Sequence, residues 1–319
     1  MNDSAIGSYG ATFYASIVVN APRVTSPAIR RFQTIFIPVI IVPGVFGNIA
    51  SFLVMTSRKF RVSSCSQYLA ALAVFDTFTL VVYSLPFINQ AFYPYSLVTF
   101  ENSLSCKIYE YLSSINDAAS SWMVVILTME RLVIVVWPFA ARTVATPAFS
   151  RKVILIMSIF WSVSCIYIFI ATKFDINLQS CVMTSFWYNI YFSVSPVTIV
   201  YIPTVSVLIC NALLIILLRR SNGFGQSSGK SASATKATVM VLMVSLLFTV
   251  CTLPNTVFAF ILPYVSLSPQ TVIDISSITS AIYGMNSAIN FYVYLLSGDE
   301  VRNFVVLRLK CGRIPKSTT

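Results

Sequence analysis

The feature that most constrains this chain is a series of long apolar stretches that carry almost no charge. A helix that crosses the roughly 30 Å hydrocarbon core of a bilayer needs about 20 consecutive, mostly apolar residues. Six stretches of this length or more hold at most one charged residue each: 32–57, 62–100, 153–172, 176–218, 237–273 and 275–298. A seventh stretch, 105–136, is mostly apolar but carries several charged side chains. The sequence therefore predicts an all-α membrane protein, a seven-transmembrane helix bundle.

The composition disfavours the alternative interpretation, a soluble bundle whose long helices form its core. Only 10% of the 319 residues are charged, and the mean hydropathy is +0.81. A soluble globular domain carries about 25% charged residues. The chain lies far outside that class.

The net charge of +11 indicates membrane topology rather than a nucleic-acid partner. Five basic residues lie on the side of the N-terminus: Arg23, Arg30, Arg31, Lys107 and Lys173. The other sixteen of the 21 Lys and Arg residues lie on the opposite side of the spans. The positive-inside rule places that side in the cytoplasm and the N-terminus outside. We therefore expect a multi-pass protein of the plasma membrane, with the lipid bilayer as its surroundings.

The chain divides into one membrane domain and two short ends. We expect an extracellular N-terminus over 1–31, the seven-span domain over 32–296, and a cytoplasmic amphipathic helix and tail over 297–319. Asn2 begins an Asn-Asp-Ser glycosylation acceptor, which requires an outward-facing N-terminus. No signal peptide is evident, so the first span is expected to act as the export signal. Cys311 is a candidate for palmitoylation, with an unmodified thiol as the alternative.

Enzyme chemistry finds little support in the sequence. There is no histidine, the commonest general base and metal ligand. No Cys pair has zinc-ligand spacing, and neither a Gly-x-Ser-x-Gly motif nor a phosphate-binding loop occurs. An internal repeat is also absent, which disfavours a transporter, because many transporters are built from duplicated halves. The sequence therefore predicts no enzyme, and a channel or transporter is a disfavoured alternative.

Eight motifs, spread from the first span to the seventh, occur in a recognisable order. They are Gly47-Asn48, Leu72-Ala73-Val74-Phe75-Asp76, Cys106, Glu130-Arg131, Trp161, Pro203, Pro254 and Asn290-Phe291-Tyr292-Val293-Tyr294. In content and spacing they resemble the landmarks of rhodopsin-like (class A) G-protein-coupled receptors. The span-seven motif is most similar to invertebrate neuropeptide receptors, such as those for RFamide-type peptides, and to related chemosensory-type receptors.

Several polar residues lie within apolar spans and must find one another in lipid. Besides Asn48 they are Asp76, Ser120, Asn286, Ser287 and Asn290. A cluster with one carboxylate is suited to a cation, and the family resemblance implies a sodium ion there in the inactive state. The alternative is a hydrogen-bonded cluster without an ion. Apart from this allosteric sodium, the sequence predicts no metal and no cofactor.

The resemblance also implies how the signal is passed on. Glu130, Arg131 and Tyr294 are the candidate residues for G-protein coupling, with Arg131 paired locally at rest. A mere anchoring role of Arg131 at the membrane surface is the alternative. Pro203, Phe248 and Pro254 are the candidate activation hinges, since each proline removes a helical hydrogen bond.

The resemblance and the topology together predict a disulfide between Cys106 and Cys181. Both residues are expected outside, in an oxidising compartment, where the bond would tie the loop before span five to span three. The other cysteines lie in spans or on the cytoplasmic side and are expected to stay reduced: Cys65, Cys165, Cys210, Cys251 and Cys311.

The sequence departs from the family pattern at several positions. Leu132 replaces the tyrosine of the usual Asp-Arg-Tyr motif, and Thr252 replaces the usual span-six tryptophan. Phe291 replaces the span-seven proline, and Asn211 stands where span five often has a tyrosine. No acid near Ala234 is available to lock Arg131 to span six. We therefore expect an altered activation geometry and a raised basal activity.

One face of span three suggests a site for a cationic ligand. Glu110, Ser113, Asp117 and Ser120 recur at helical spacing, so this face carries two acids. Further candidate ligand-binding residues at the outer ends of the spans are Trp187, Tyr191, Tyr283 and Asp274. Acids and aromatic rings together suit a positively charged ligand. The alternative is that Lys107 or Lys173 neutralises these acids within the protein.

Two absences narrow the ligand further. Gly284 occupies the place of the retinal-binding lysine of opsins, and Ser113 that of the aspartate of amine receptors. The predicted function is a receptor for a small extracellular peptide, with a cationic group, that activates a heterotrimeric G protein. A chemoreceptor for a small molecule or an amine is the alternative, and a non-signalling decoy is disfavoured by the intact Arg131.

Overall fold

The computed structural model describes residues 26–91, 102–175, 180–183, 186–187, 194–222 and 229–311. Within this part of the chain the architecture is a bundle of long helices. The predicted glycosylation acceptor Asn2 and the predicted ligand residue Tyr191 lie outside the described residues.

Seven long helical segments form the bundle, and we number them as spans in chain order. Spans one to three are Pro27–Met55, Ser64–Ala91 and Ser103–Val136. Span four is Pro147–Ala171, in which the helices Pro147–Ser164 and Ile166–Ala171 follow one another. Span five consists of a π-helical turn, Pro196–Tyr201, and the α-helix Ile202–Asn222. Spans six and seven are Gly229–Ile261 and Pro269–Ser297.

Shorter elements connect and follow the spans. A short helix, Pro138–Val144, joins spans three and four, and a 3₁₀ turn, Leu262–Tyr264, follows span six. The C-terminal helix, Asp299–Cys311, comes directly after span seven. Strands β1 (Thr172–Asp175) and β2 (Ser180–Met183) form an antiparallel pair after span four.

Length and composition make six of the described helical segments suitable for crossing a membrane, namely spans one to six. Span seven has 29 residues, as many as span one, but it carries more polar side chains. Those polar side chains are explained by its neighbours, because Asn286, Ser287 and Asn290 are buried inside the bundle. The predicted seven-transmembrane bundle is confirmed.

Side-chain caps fix where several spans begin. Ser26, Thr146 and Ser268 each accept a hydrogen bond from the backbone N–H three positions later, and a proline follows each of them. The proline loses nothing at this position, since the first N–H groups of a helix have no intrahelical partner. Asn102 caps span three in the same way, by accepting from Ser105 N at 3.0 Å. These Ser/Thr-Pro pairs therefore mark the starts of spans one, four and seven.

Two apolar clusters hold the described bundle together. The larger one lies towards the cytoplasmic ends of the spans, and its most deeply buried members include Leu69, Leu72, Leu127, Val241 and Tyr294. The smaller one joins spans three and four through Ala118, Trp161, Cys165 and Ile168. Span four otherwise turns its apolar side chains outward, since only 17% of its most apolar window is buried. Such a surface suits contact with lipid.

A disulfide bond joins Cys106 of span three to Cys181 of strand β2, as predicted. The strand pair is held further by Ser103, whose Oγ accepts a hydrogen bond from Phe174 N at 3.2 Å. Together these contacts fix the β1–β2 pair over the start of span three. The described free cysteines, Cys65, Cys165, Cys210 and Cys251, are buried.

Candidate functional site

A polar cluster lies at the centre of the bundle, around the fully buried carboxylate of Asp76. Its Oδ1 accepts a hydrogen bond from Ser120 Oγ at 3.1 Å, and its Oδ2 accepts one from Asn290 Nδ2 at 2.7 Å. Asn48 Nδ2 donates to the backbone carbonyl of Ser287 at 2.9 Å. Spans one, two, three and seven therefore converge on this cluster, as the sequence predicted.

A second polar group lies near the C-terminal end of span three. Glu130 Oε1 accepts from Arg131 Nη2 at 2.7 Å, and both side chains are about 95% buried. The same Oε1 accepts from Ser64 Oγ at 2.7 Å, at the start of span two. The role of Ser64 could not be predicted from the sequence, because a serine hydroxyl at a helix start usually serves as a cap. Its contact with Glu130 holds the carboxylate in place beside Arg131.

A cavity of about 210 Å³ opens between spans three, five, six and seven in their outer halves. Its polar lining includes Asp117, Ser114, Ser195, Asn255 and Tyr283. Its other described lining residues are Pro196, Ile199, Val200, Tyr201, Thr256 and Ala259, so among the described residues Asp117 supplies its one carboxylate. The cavity thus offers a single negative charge among aromatic and apolar side chains.

Residues 47–294 match the sequence pattern of the 7 transmembrane receptor (rhodopsin family). This match covers most of the chain, from the last turns of span one to span seven.

The chain belongs to the rhodopsin family of seven-transmembrane receptors. It is therefore a G-protein-coupled receptor, a multi-pass protein of the plasma membrane and not an enzyme.

Several known receptors are similar to it in sequence. A candidate G-protein coupled receptor of Caenorhabditis elegans is 26% identical, over 88% of this chain and 74% of its own length. The FMRFamide receptor of Drosophila melanogaster is 26% identical, over 86% of this chain and 53% of its own length. The thyrotropin-releasing hormone receptor of Gallus gallus is 30% identical, over 46% of this chain and 39% of its own length. The chain thus spans about half the length of the fly receptor. It spans less than half the length of the hormone receptor.

The amide oxygens of the polar cluster are candidate ligands for a cation. Asn48, Asn286 and Asn290 each have a buried side-chain Oδ1 without a hydrogen-bond partner in the structure. An unsatisfied buried polar atom costs about 1–3 kcal/mol. Oxygen atoms of carboxylates and amides are the ligands that hard cations prefer. The donor set therefore fits a sodium ion.

The predicted hinge residues lie where the receptor's helices five and six are least regular. Pro203 lies two positions after the end of the π-helical turn Pro196–Tyr201, and Pro254 lies inside span six. Phe248, 2% exposed, packs in the larger apolar cluster with Tyr294. Spans five and six are linked at Asn211, whose Oδ1 accepts from Ser245 Oγ at 2.7 Å.

The hydroxyl groups of span six explain how the helix tolerates its proline. Thr252 Oγ1 donates to Phe248 O at 2.8 Å, and Thr256 Oγ1 donates to Thr252 O at 2.8 Å. Ser and Thr side chains that bond back to the preceding turn tend to bend helices. Thr252 and Thr256 therefore add to the tendency of Pro254 to bend span six.

Of the predicted ligand-binding residues, the structure brings Asp117 and Tyr283 together at the cavity. Glu110 lies about two turns further out on span three, and neither it nor Ser113 is among the residues that line the cavity. Trp187 stacks on Tyr167 with ring centroids 5.9 Å apart, outside the lining set.

Asp274, another predicted ligand-binding residue, forms hydrogen bonds within the receptor. Its Oδ1 accepts hydrogen bonds from Ser26 N and from Gln270 Nε2, both at 3.0 Å. This carboxylate therefore ties the start of span one to the start of span seven. Its binding of a ligand stays a prediction.

The alternative interpretation of the outer acids is that Lys107 or Lys173 neutralises them within the protein. Lys107 lies over the ring of Phe169, 5.6 Å from its centroid. Within the described part of the chain, neither Lys107 nor Lys173 forms an ion pair.

Sequence reasoning missed the other polar residues of the cavity, among them Asn255, Ser114 and Ser195. Asn255 directly follows Pro254, and its Oδ1 lies 3.3 Å from Thr279 Oγ1 of span seven. Ser114 lies next to Ser113, one position around span three. A polar residue beside the span-six proline was the available signal for Asn255, since polar groups within spans usually mark function.

Proposed function

We propose that this receptor binds a small extracellular peptide through a positively charged group and in response activates a heterotrimeric G protein. The observation that carries the ligand class is the Asp117 carboxylate, which lines the cavity together with Tyr201 and Tyr283. An acid within a membrane span usually marks a functional site, and a ligand of opposite charge suits it. Tyr201 and Tyr283 in the same lining add aromatic faces that attract cations.

The size of the cavity supports a peptide that enters only in part. Its volume of about 210 Å³ lies below the roughly 300–1,000 Å³ of pockets that enclose a drug-sized ligand. One charged end or side chain of a peptide fits this space, while the rest would contact the outer surface. The fly relative named as an FMRFamide receptor supports a peptide ligand as well.

The N-terminus of the receptor faces outward in this proposal. The start of span one contacts Asp274 at the start of span seven, and the start of span three carries the disulfide. Disulfides form and persist in oxidising compartments. The end of the bundle with the disulfide therefore belongs outside, together with the start of span one.

Arg131 provides the coupling step. Its pairing with Glu130 and the burial of both groups belong to a resting arrangement, in which the guanidinium is withheld from the cytoplasm. Movement of span six about Pro254 would open the space beside Arg131 for the G protein. The Asp76 cluster lies between this pair and the outer cavity, and we propose that it holds a sodium ion in the resting receptor.

The experiment that tests the ligand class is a screen of two libraries on cells that express the receptor. One library contains short cationic peptides, in amidated and free-acid forms, and the other contains amines and small metabolites. The proposal expects G-protein activation by a cationic peptide, absent from cells that express Arg131→Ala. Activation by an amine or a neutral small molecule, with no response to any peptide, would favour the chemoreceptor alternative.

A further inference from the structure

The cytoplasmic end of span six is tied to the C-terminal helix by an ion pair. Lys236 Nζ lies 2.9 Å from Asp299 Oδ2, and the two side chains are 62% and 47% exposed. A second pair, Lys59 with Glu300 at 3.6 Å, joins the same helix to the segment that follows span one. The C-terminal helix is thus held from two sides.

Apolar packing beneath the first pair brings the two helices close together. Met240, one turn beyond Lys236, is buried in the same cluster as Val301 of the C-terminal helix. A Cβ added at Gly298 would lie 3.5 Å from Met240 Sδ and only 2.7 Å from the Tyr294 carbonyl. A side chain at position 298 would therefore push the C-terminal helix out of place.

The ion pair is a large part of the contact between span six and the C-terminal helix, because the apolar packing beside it is incomplete. A cavity of about 200 Å³ lies between spans one, two and six and the C-terminal helix. Lys59, Lys236, Asp299 and Glu300 all line it, with Met240 among its apolar residues. The Lys236 ammonium also holds the pKa of Asp299 below its usual value, so the pair stays charged at cytoplasmic pH.

Span six offers no acid that could bind Arg131, since 176–273 contains neither Asp nor Glu. We propose that the Lys236–Asp299 pair, with Met240 packed against Gly298 and Val301, is the contact that holds span six closed in the resting receptor. We call this contact the lock. It joins span six to the C-terminal helix, and not to span three.

The geometry of span six makes this contact sensitive to activation. Lys236 lies 18 residues before Pro254, which is about 27 Å along the helix. A bend of about 10° at the proline would move Lys236 by roughly 5 Å, enough to break the pair. The closed form would then lose its ion pair as soon as span six swings outward.

The expected size of the effect follows from the exposure of the pair. A half-exposed ion pair shifts an equilibrium by up to about fivefold. Reversing one charge adds repulsion to the loss of attraction. Lys236→Glu and Asp299→Lys should each raise the fraction of open receptor about two- to fivefold, and the double variant should restore it.

Arg302 supplies the matched control. It also pairs with Asp299, at 2.6 Å, but both residues belong to the C-terminal helix. Arg302→Gln should therefore leave the position of span six unchanged, although it removes an ion pair from the same carboxylate. Lys236→Gln serves as a milder variant should Lys236→Glu reduce folding.

The test measures the position of span six directly in the full-length receptor in lipid nanodiscs. Spin labels at positions 151 and 239, on spans four and six, give the distance distribution without agonist by pulsed electron paramagnetic resonance. Basal nucleotide exchange on the purified G protein is measured on the same variants. The proposal expects a longer-distance population in each single charge reversal, none in Arg302→Gln, and its loss in the double variant.

The inference rests on the proposed coupling only in the exchange assay, so its failure can be told apart from failure of that coupling. Unchanged distances in both single reversals, or a double variant that stays open, would overturn the lock. Distances that shift as expected without any exchange would support the lock and contradict the coupling role of the open form.

Discussion

At the scale of single residues, the polar groups inside the spans carry most of the functional argument. Asp76, Ser120 and Asn290 could be predicted to meet, because a polar group in lipid needs a polar partner. The partners of Ser64 and Asp274 could not be predicted in this way. Ser64 bonds Glu130 across 66 positions, and Asp274 bonds the backbone of Ser26 across 248. Which partner a hydroxyl or a backbone N–H finds depends on packing, which no local pattern shows.

Asp117→Asn should weaken agonist potency by at least about 30-fold, on the order of 2 kcal/mol. The loss of one partner from a buried charged pair typically costs about 2–5 kcal/mol. Concentration–response curves for G-protein activation measure the shift. Glu110→Gln is the control and should cost less, since Glu110 does not line the cavity. An agonist whose potency is the same on Asp117→Asn, or a best agonist without positive charge, would leave Asp117 as a structural acid.

Asp76→Asn should abolish any dependence of agonist affinity on sodium. The substitution keeps the shape of the side chain but removes the charge that a cation needs next to the amide oxygens of Asn286 and Asn290. Agonist binding is compared in sodium and in N-methylglucamine at equal ionic strength. A sodium effect that persists in the variant would place the ion elsewhere.

At the scale of elements, the number of spans could be predicted better than their ends. The apolar stretches begin at 32 and 275, whereas spans one and seven begin at Pro27 and Pro269. The first turns of these helices are polar and are fixed by the Ser-Pro caps, so they lie outside the hydrophobic pattern. The β1–β2 pair was not predicted, since it lies within or beside stretches that read as continuous apolar chain.

Gly44→Leu should lower the thermal stability of the receptor, by about 1–3 kcal/mol. A Cβ at position 44 would lie 2.7 Å from both Ala288 Cβ and Leu80 Cδ1, so spans one, two and seven approach each other closely there. Gly284→Ala is the matched control, because a Cβ at that position meets nothing within 4 Å. Its stability should stay equal or rise by a few tenths of a kcal/mol. Thermal unfolding of the purified receptor measures both, and equal losses would contradict the close approach at Gly44.

At the scale of the whole molecule, span three connects the three functional regions. Asp117 at the cavity, Ser120 in the Asp76 cluster and Arg131 at the cytoplasmic end follow one another along a single helix. Fourteen residues separate Asp117 from Arg131, about 21 Å along the helix axis. A ligand at Asp117 therefore cannot contact Arg131 directly, and its effect must pass through the neighbouring spans. We propose that spans five and six, which contain Pro203 and Pro254 and are linked at Asn211 and Ser245, are the elements that move.

The most direct test of this account is nucleotide exchange on a purified heterotrimeric G protein by the receptor in nanodiscs, with and without agonist. The account predicts agonist-stimulated exchange by the unaltered receptor. Arg131→Ala should lose this exchange entirely while it keeps its agonist affinity and its surface expression. Full exchange by Arg131→Ala would contradict the account, because the signal would then reach the G protein without the residue assigned to deliver it.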